Sequence, residues 1–191
     1  MTAALNRALM SLGGQGARPS KPDLVADLLE LEKAGRKDKT TYRYEQLVGT
    51  WQLGFITGTL RSQQQTRGLF KSGIWLPSWL QIRICYEPGE QADRGQVVNQ
   101  VGLGPCRLTV NGPVRFWSPR NILAFDFTEL SLGVAGRRLY QGGLRGGRDD
   151  AAFYDKDLKT QPFFAYFWIG EDGIAARGRG GGLALWWRVE G

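Results

Sequence analysis

The sequence predicts an all-β chain of about eight or nine strands behind an N-terminal helix, a closed antiparallel barrel or a strongly bent sandwich, and three observations predict it. Short runs with apolar residues at every second position recur from Trp51 onward, each bounded by glycine, proline or small polar residues. The 27 glycines among 191 residues are about twice the ordinary share, which suits many turns rather than long helices. Finally, the stretch FFAYFWIGEDGIAARGRGGGLALWWRV from Phe163 to Val189 sets two apolar runs around a glycine- and arginine-rich centre. Its aromatic residues are too many for one face of a thin sheet, so some are expected to line a cavity. Closing the sheet removes the exposed edges that so apolar a ribbon would otherwise present.

Taken in order, residues 1–21 carry Arg7, Arg18 and Lys21 but no acid and are expected to form a flexible leader, with the barrel domain spanning 22–191. Leu24, Leu28 and Leu31 fall at helical spacing in Asp23 to Lys33, and Pro22 stands where it can start that helix. Lys33 to Lys39, with Gly35 and a run of charge, reads as a solvated helix end and loop, and Tyr42 to Val48 as one more helical turn.

At Gly49 the period changes. GTWQLGFITGTLR alternates as a long strand with Trp51, Leu53 and Phe55 on one face. Gly49-Thr50-Trp51 is a G-x-W, which in lipocalin-like barrels opens the first strand and places its tryptophan across the barrel base beneath an arginine from a later strand. What this resemblance implies is a lipocalin-like antiparallel β-barrel with an N-terminal helix.

Ser62 to Lys71 is polar and turn-rich, and Trp75, Pro77, Ser78 and Trp79 make an apolar loop. Leu80, Ile82, Ile84 and Tyr86 alternate with Gln81, Arg83, Cys85 and Glu87, giving a strand with one apolar side. Gly95 to Val101, Cys106 to Trp117 and Ile122 to Leu132 continue the series, with prolines confined to strand ends or edges. Arg138 to Gln141 is a short strand within a basic passage from Gly133 to Asp150.

Composition excludes several function classes. There is no histidine, which removes Ser/His/Asp and Cys/His catalysis, His-ligated zinc and the usual general base near neutrality. No catalytic residue, metal site or cofactor is assigned. Cys85 and Cys106 lack CxxC spacing and are expected to be two reduced, buried thiols. The net charge of +7 favours an anionic partner without choosing among nucleic acid, membrane surface and acidic ligand. No apolar run is long enough for a spanning helix.

The acidic pairs Asp149-Asp150, Asp155 with Asp157, and Glu171-Asp172 read as solvated turn residues, whereas Asp126 interrupts an aromatic strand and faces either solvent or the lumen. Arg145-Gly146-Gly147 and Arg179-Gly180-Gly181 are similar to the RGG elements of RNA-binding tails, but Arg179 lies between two strong strands, where a hairpin turn explains it better. No nucleic-acid partner is expected.

With these motifs laid out, the chain resembles the plastid lipid-associated proteins, or fibrillins, as a divergent cyanobacterial-type member. Gly49-Thr50-Trp51-Gln52-Leu53 resembles the family's opening G-x-W-x-L strand, and Gly95 to Val101 its Q-V-x-Q-x-I segment. Glu171-Asp172 followed by Arg177-Gly178 resembles its closing motif, the likeness covering roughly residues 22 to 189. Trp168-Ile169-Gly170 and Ile174 stand where the family often has an aromatic-Leu-Asp triplet and a second arginine. The resemblance implies non-enzymatic binding or organisation of a lipophilic molecule such as a quinone, carotenoid or lipid. It places the protein in the cytoplasm or peripheral to the thylakoid membrane, in a plastid if the source is eukaryotic.

On this reading the ligand contacts are expected among Trp51, Phe55, Tyr86 and Phe116, together with Phe125, Tyr166 and Trp168. Burying about 300 Å² of ligand surface would give roughly 7 kcal/mol before the cost of association, enough for micromolar binding. Arg177 is expected to stack on Trp51 at the closed end or else to fix a turn. Arg137, Arg138 and Arg145 are the arginines expected to meet an anionic membrane surface. A bilin or pigment lyase or chaperone on the same kind of barrel and an RNA-binding module using the Arg-Gly loops are the alternatives. The W-x-S-x-R pattern of the lyases is absent.

Overall fold

A computed structural model describes residues 2–58, 72–144 and 150–189. Eight strands close into an antiparallel barrel in the order β4, β3, β1, β11, β10, β9, β6, β5, with β5 returning to β4. They are β1 (Gly49–Ile56), β3 (Leu80–Pro88), β4 (Arg94–Leu103), β5 (Cys106–Trp117), β6 (Ile122–Phe125), β9 (Phe163–Ile169), β10 (Gly173–Gly178) and β11 (Leu183–Val189). The short β2 (Ile74–Trp75) pairs with the end of β1. The hairpin β7 (Glu129–Val134) and β8 (Arg137–Gly143) continues the sheet from the first half of β5. The predicted barrel is therefore present, drawn out at one end into an extension of β3, β4, β5, β7 and β8.

Each barrel strand sends at least one buried side chain into a common interior, among them Trp51, Tyr86, Val97, Phe116, Leu123, Tyr166, Ile174 and Trp186. A second cluster lies outside the barrel, where Leu5, Leu24 and Leu28 pack on Phe55, Phe167, Ala175 and Leu185. These leucines come from α1 (Ala3–Leu12) and α2 (Lys21–Lys37). Residues 3–12 are thus packed rather than forming the expected flexible leader. Ala4, Leu5, Ala8 and Leu9 recur on one face and are buried, and Asp27 of α2 accepts from the first-turn amides of Ala4 and Leu5 at 2.8 and 3.1 Å. Ser20 caps α2 by accepting from the Asp23 amide, with Pro22 in the first turn, so that helix starts as expected and runs past Gly35 to Lys37.

The expected strand Ile122 to Leu132 is two strands. β5 pairs with β6 at Val114–Trp117 and with β7 at Cys106–Asn111, so the chain must leave the barrel between them. Asp126 makes the break by accepting from its neighbour Phe127 N and from Lys156 Nζ at 3.0 Å each, which turns its carboxylate away from the lumen. The cysteines also differ from expectation. Cys106 opens β5 at a hairpin and is exposed, and Cys85 is half-buried on the outer face; both are free thiols. Among the described residues no helix is long and apolar enough to cross a membrane.

Candidate functional site

The closed end of the barrel is built around the G-x-W. Trp51 is fully buried and donates its indole N–H to Leu47 O at 2.7 Å, satisfying the one polar atom that burial would otherwise orphan. The arginine above it is Arg188, whose guanidinium carbon lies 4.0 Å from the ring centroid. Arg188 reaches there because β11 pairs with β1 so that Trp51 and Arg188 are opposite each other, and its Nε donates to Glu171 O at 2.7 Å. Gly49 makes the room: its φ is +130°, and a Cβ there would sit 2.6 Å from Arg188 Nη1.

Arg177, expected over Trp51 or else to fix a turn, faces outward from β10, where it reaches the β10–β11 turn at Gly181 O and clamps α2 to the barrel. It donates to both carboxylate oxygens of Glu32, at 2.8 and 2.5 Å, and to Gly181 O. Glu32 is only 8% exposed, and the hydrogen bonds from Arg177 hold its carboxyl below the ordinary value of 4.5, outweighing the opposite effect of burial.

Of the expected ligand contacts, Trp51, Tyr86, Phe116 and Tyr166 are inside and buried, and Phe125 is inside and half-buried. Phe55 and Trp168 are corrections, since both lie on the outer face with the helices. The cause is a bulge in each strand. Pairing shifts between Leu53 and Phe55 in β1, and β9 shifts register against β10 between the partners of Ala175 and Ala176. One extra residue reverses the alternation of everything beyond it.

Deep in the barrel the Tyr86 and Tyr166 hydroxyls share a 2.7 Å hydrogen bond. Burial raises both phenols far above their usual range, so neither carries charge at physiological pH. Tyr166→Phe leaves the Tyr86 hydroxyl without that partner and is expected to cost about 1–2 kcal/mol, whereas Tyr86→Phe with Tyr166→Phe together should cost less than the sum of the two single changes. Denaturant melts of the three variants check this.

Towards the other end the inner face opens. Leu53, Ile56, Phe125, Phe127 and Phe164 are packed on the interior cluster yet only half-buried. Phe125 stacks on Phe164 with centroids 5.2 Å apart. Beyond them the extension carries an apolar row across five strands, Ile82, Val101, Leu108, Leu132 and Tyr140, each opposite the next. Leu132 is 44% and Tyr140 54% exposed, so this row runs from the lumen out to solvent. Sequence reasoning missed the row because Leu108 and Leu132 become neighbours only through strand pairing. Asn99 lies on the same face between Ile84 and Val110, its side-chain oxygen buried and without a hydrogen-bond partner.

Arg137 and Arg138 begin β8 and are exposed, while Arg145 lies outside the described residues. Arg179 sits in the β10–β11 turn, as expected, and donates to Thr160 O and Gln161 O just ahead of β9. Among the described residues no group of three acidic or cysteine side chains could hold a metal ion. No family model, curated protein or solved structure matches the chain.

Proposed function

We propose that the protein binds a lipophilic molecule along the inner face at the open end of the barrel, without catalysing a reaction on it. One observation carries the reading. Inward-facing apolar side chains continue from the buried interior, around the polar Asn99, to the exposed row ending at Leu132 and Tyr140. A monomeric chain normally covers such a surface, and large apolar patches left in water mark binding sites. Asn99 supplies what an otherwise greasy site needs for orientation, an unpaired polar group aimed inward among apolar neighbours. A ligand with a long apolar body and one polar end fits this arrangement, which is the chemistry of isoprenoid quinones, carotenoid derivatives and lipids. The resemblance of the sequence to fibrillins supports the same class and a place at or near photosynthetic membranes.

The test is direct titration with a soluble short-chain quinone, followed by quenching of tryptophan fluorescence. Micromolar binding is expected, weakened about tenfold or more by Leu132→Glu, which places a charge in the row where the side chain is partly solvated. Native mass spectrometry of protein gently extracted from its own cells should show a co-purifying isoprenoid or pigment. An empty chain that also fails to bind the quinone would overturn the proposal.

A further inference from the structure

The opposite, outer face of the sheet extension holds a second concavity of about 650 Å³ with different chemistry. Its central row runs Gln81, Gly102, Arg107, Gly133 and Arg138 across β3, β4, β5, β7 and β8. Glycine on either side of Arg107 leaves bare backbone as a floor, and the arginines stand up as walls. The adjoining row Gln100, Thr109 and Ser131 adds neutral hydrogen-bonding groups, and Arg137 closes one end. Among the described residues no carboxylate lines the cup, and Arg107 and Arg137 form no ion pair. Arg138 is held by donating to Gln141 Oε1 at 2.5 Å.

We infer that this cup binds a phosphoryl group. Several guanidinium groups around a glycine floor, with hydroxyls and amides beside them, match a multiply charged anion with oxygen acceptors on all sides, for which arginine forks are well suited. Clustered arginines with no acid among them repel one another, and an anion relieves that repulsion. Trp79, 64% exposed, stands at the rim. A lipid headgroup and a free phosphoester share the chemistry of the cup; the exposed indole at its rim suits the headgroup. The arginine and glycine row is on the other side of the sheet from the apolar row, with Leu132 bordering both, so variants at Gly102, Arg107 and Arg138 test the cup without touching the ligand reading.

The experiment compares sedimentation with vesicles of phosphatidylcholine alone and of phosphatidylcholine with phosphatidylglycerol, alongside calorimetric titration with pyrophosphate. Two variants are used. Arg107→Gln with Arg138→Gln removes charge, and Gly102→Val fills the floor without altering charge. A Cβ at Gly102 would meet Gln81 Cβ at 3.5 Å, an ordinary contact, and valine suits a strand, so this variant should melt like the parent chain. Binding to the anionic vesicles or to pyrophosphate is expected, falling with added salt and reduced at least about tenfold in both variants. Pyrophosphate binding without vesicle binding assigns a free phosphoester, and vesicle binding that pyrophosphate does not displace assigns a headgroup. Binding of neither probe, or binding unchanged in both variants, overturns the inference.

Discussion

Trp51→Ala is expected to destabilise the protein by about 3–5 kcal/mol, the usual cost of emptying a large buried aromatic site. For a chain of this size that lowers the melting temperature by roughly 6–20 °C. The cost falls at the upper end because the indole is fully enclosed, ties β1 to Leu47 through its N–H and supports the Arg188 guanidinium. Phenylalanine at the same position keeps the ring stack but leaves the Leu47 carbonyl without its donor, so it should recover part of the loss and not all of it. Calorimetric melts of both variants beside Arg188→Ala separate the packing contribution from the cation–π contact, which accounts for about 0.5–2 kcal/mol. A Trp51→Ala melt within a degree or two of the parent would mean that this end of the barrel is not closed by the indole.

Arg177→Ala is expected to cost about 2–4 kcal/mol, because removing one partner strands a buried charge. Glu32 would keep only Arg36, whose side chain is 75% exposed and so offers a weakly held, solvent-screened contact. An arginine that merely fixed a turn would barely matter. The pH dependence gives an independent check with a defined sign. Glu32 has its carboxyl lowered in the folded chain, so its contribution is present above the ordinary value of 4.5 and is lost as pH falls through the lowered folded value. The gap between parent and Arg177→Ala should therefore be widest near neutrality and shrink in acid. Replacing Glu32 and Arg177 together by leucine should destabilise less than Arg177→Ala alone, since no buried charge is then left unpaired. An unchanged melting temperature for Arg177→Ala at neutral pH would show that the Glu32 contact does not hold α2 in place.

What could be seen in the chain and what could not divides along physical lines. The strands at Leu80 and Cys106 are legible from alternation and those at Phe163 and Leu183 from short apolar runs bounded by glycine, both of them local properties of the chain. Bulges are not local in that sense. Nothing near Phe55 or Trp168 says which partner strand will shift against it, so both were placed on the wrong face. The choice between Arg177 and Arg188 over Trp51 was likewise a matter of pairing register, fixed by the β1–β11 ladder. The clamp between Glu32 and Arg177 joins positions 145 residues apart, and neither residue carries a mark of it. The first helix was a different case. Leu5 and Leu9 with Ala4 and Ala8 have helical spacing, but the segment is short and its burial depends on α2 and the outer barrel wall, which no local pattern announces.

The seam between β1 and β11 joins Thr50 to Val189, so the wall that β1 begins can be finished only when β11 has emerged. Until then the nascent polypeptide must keep Trp51 and its neighbours from straying into foreign pairings, and such distant closure makes for slow folding. Chaperone dependence during translation, and a sharp loss of yield on trimming β11, are the practical signs of a barrel whose closing seam joins strands so far apart in sequence.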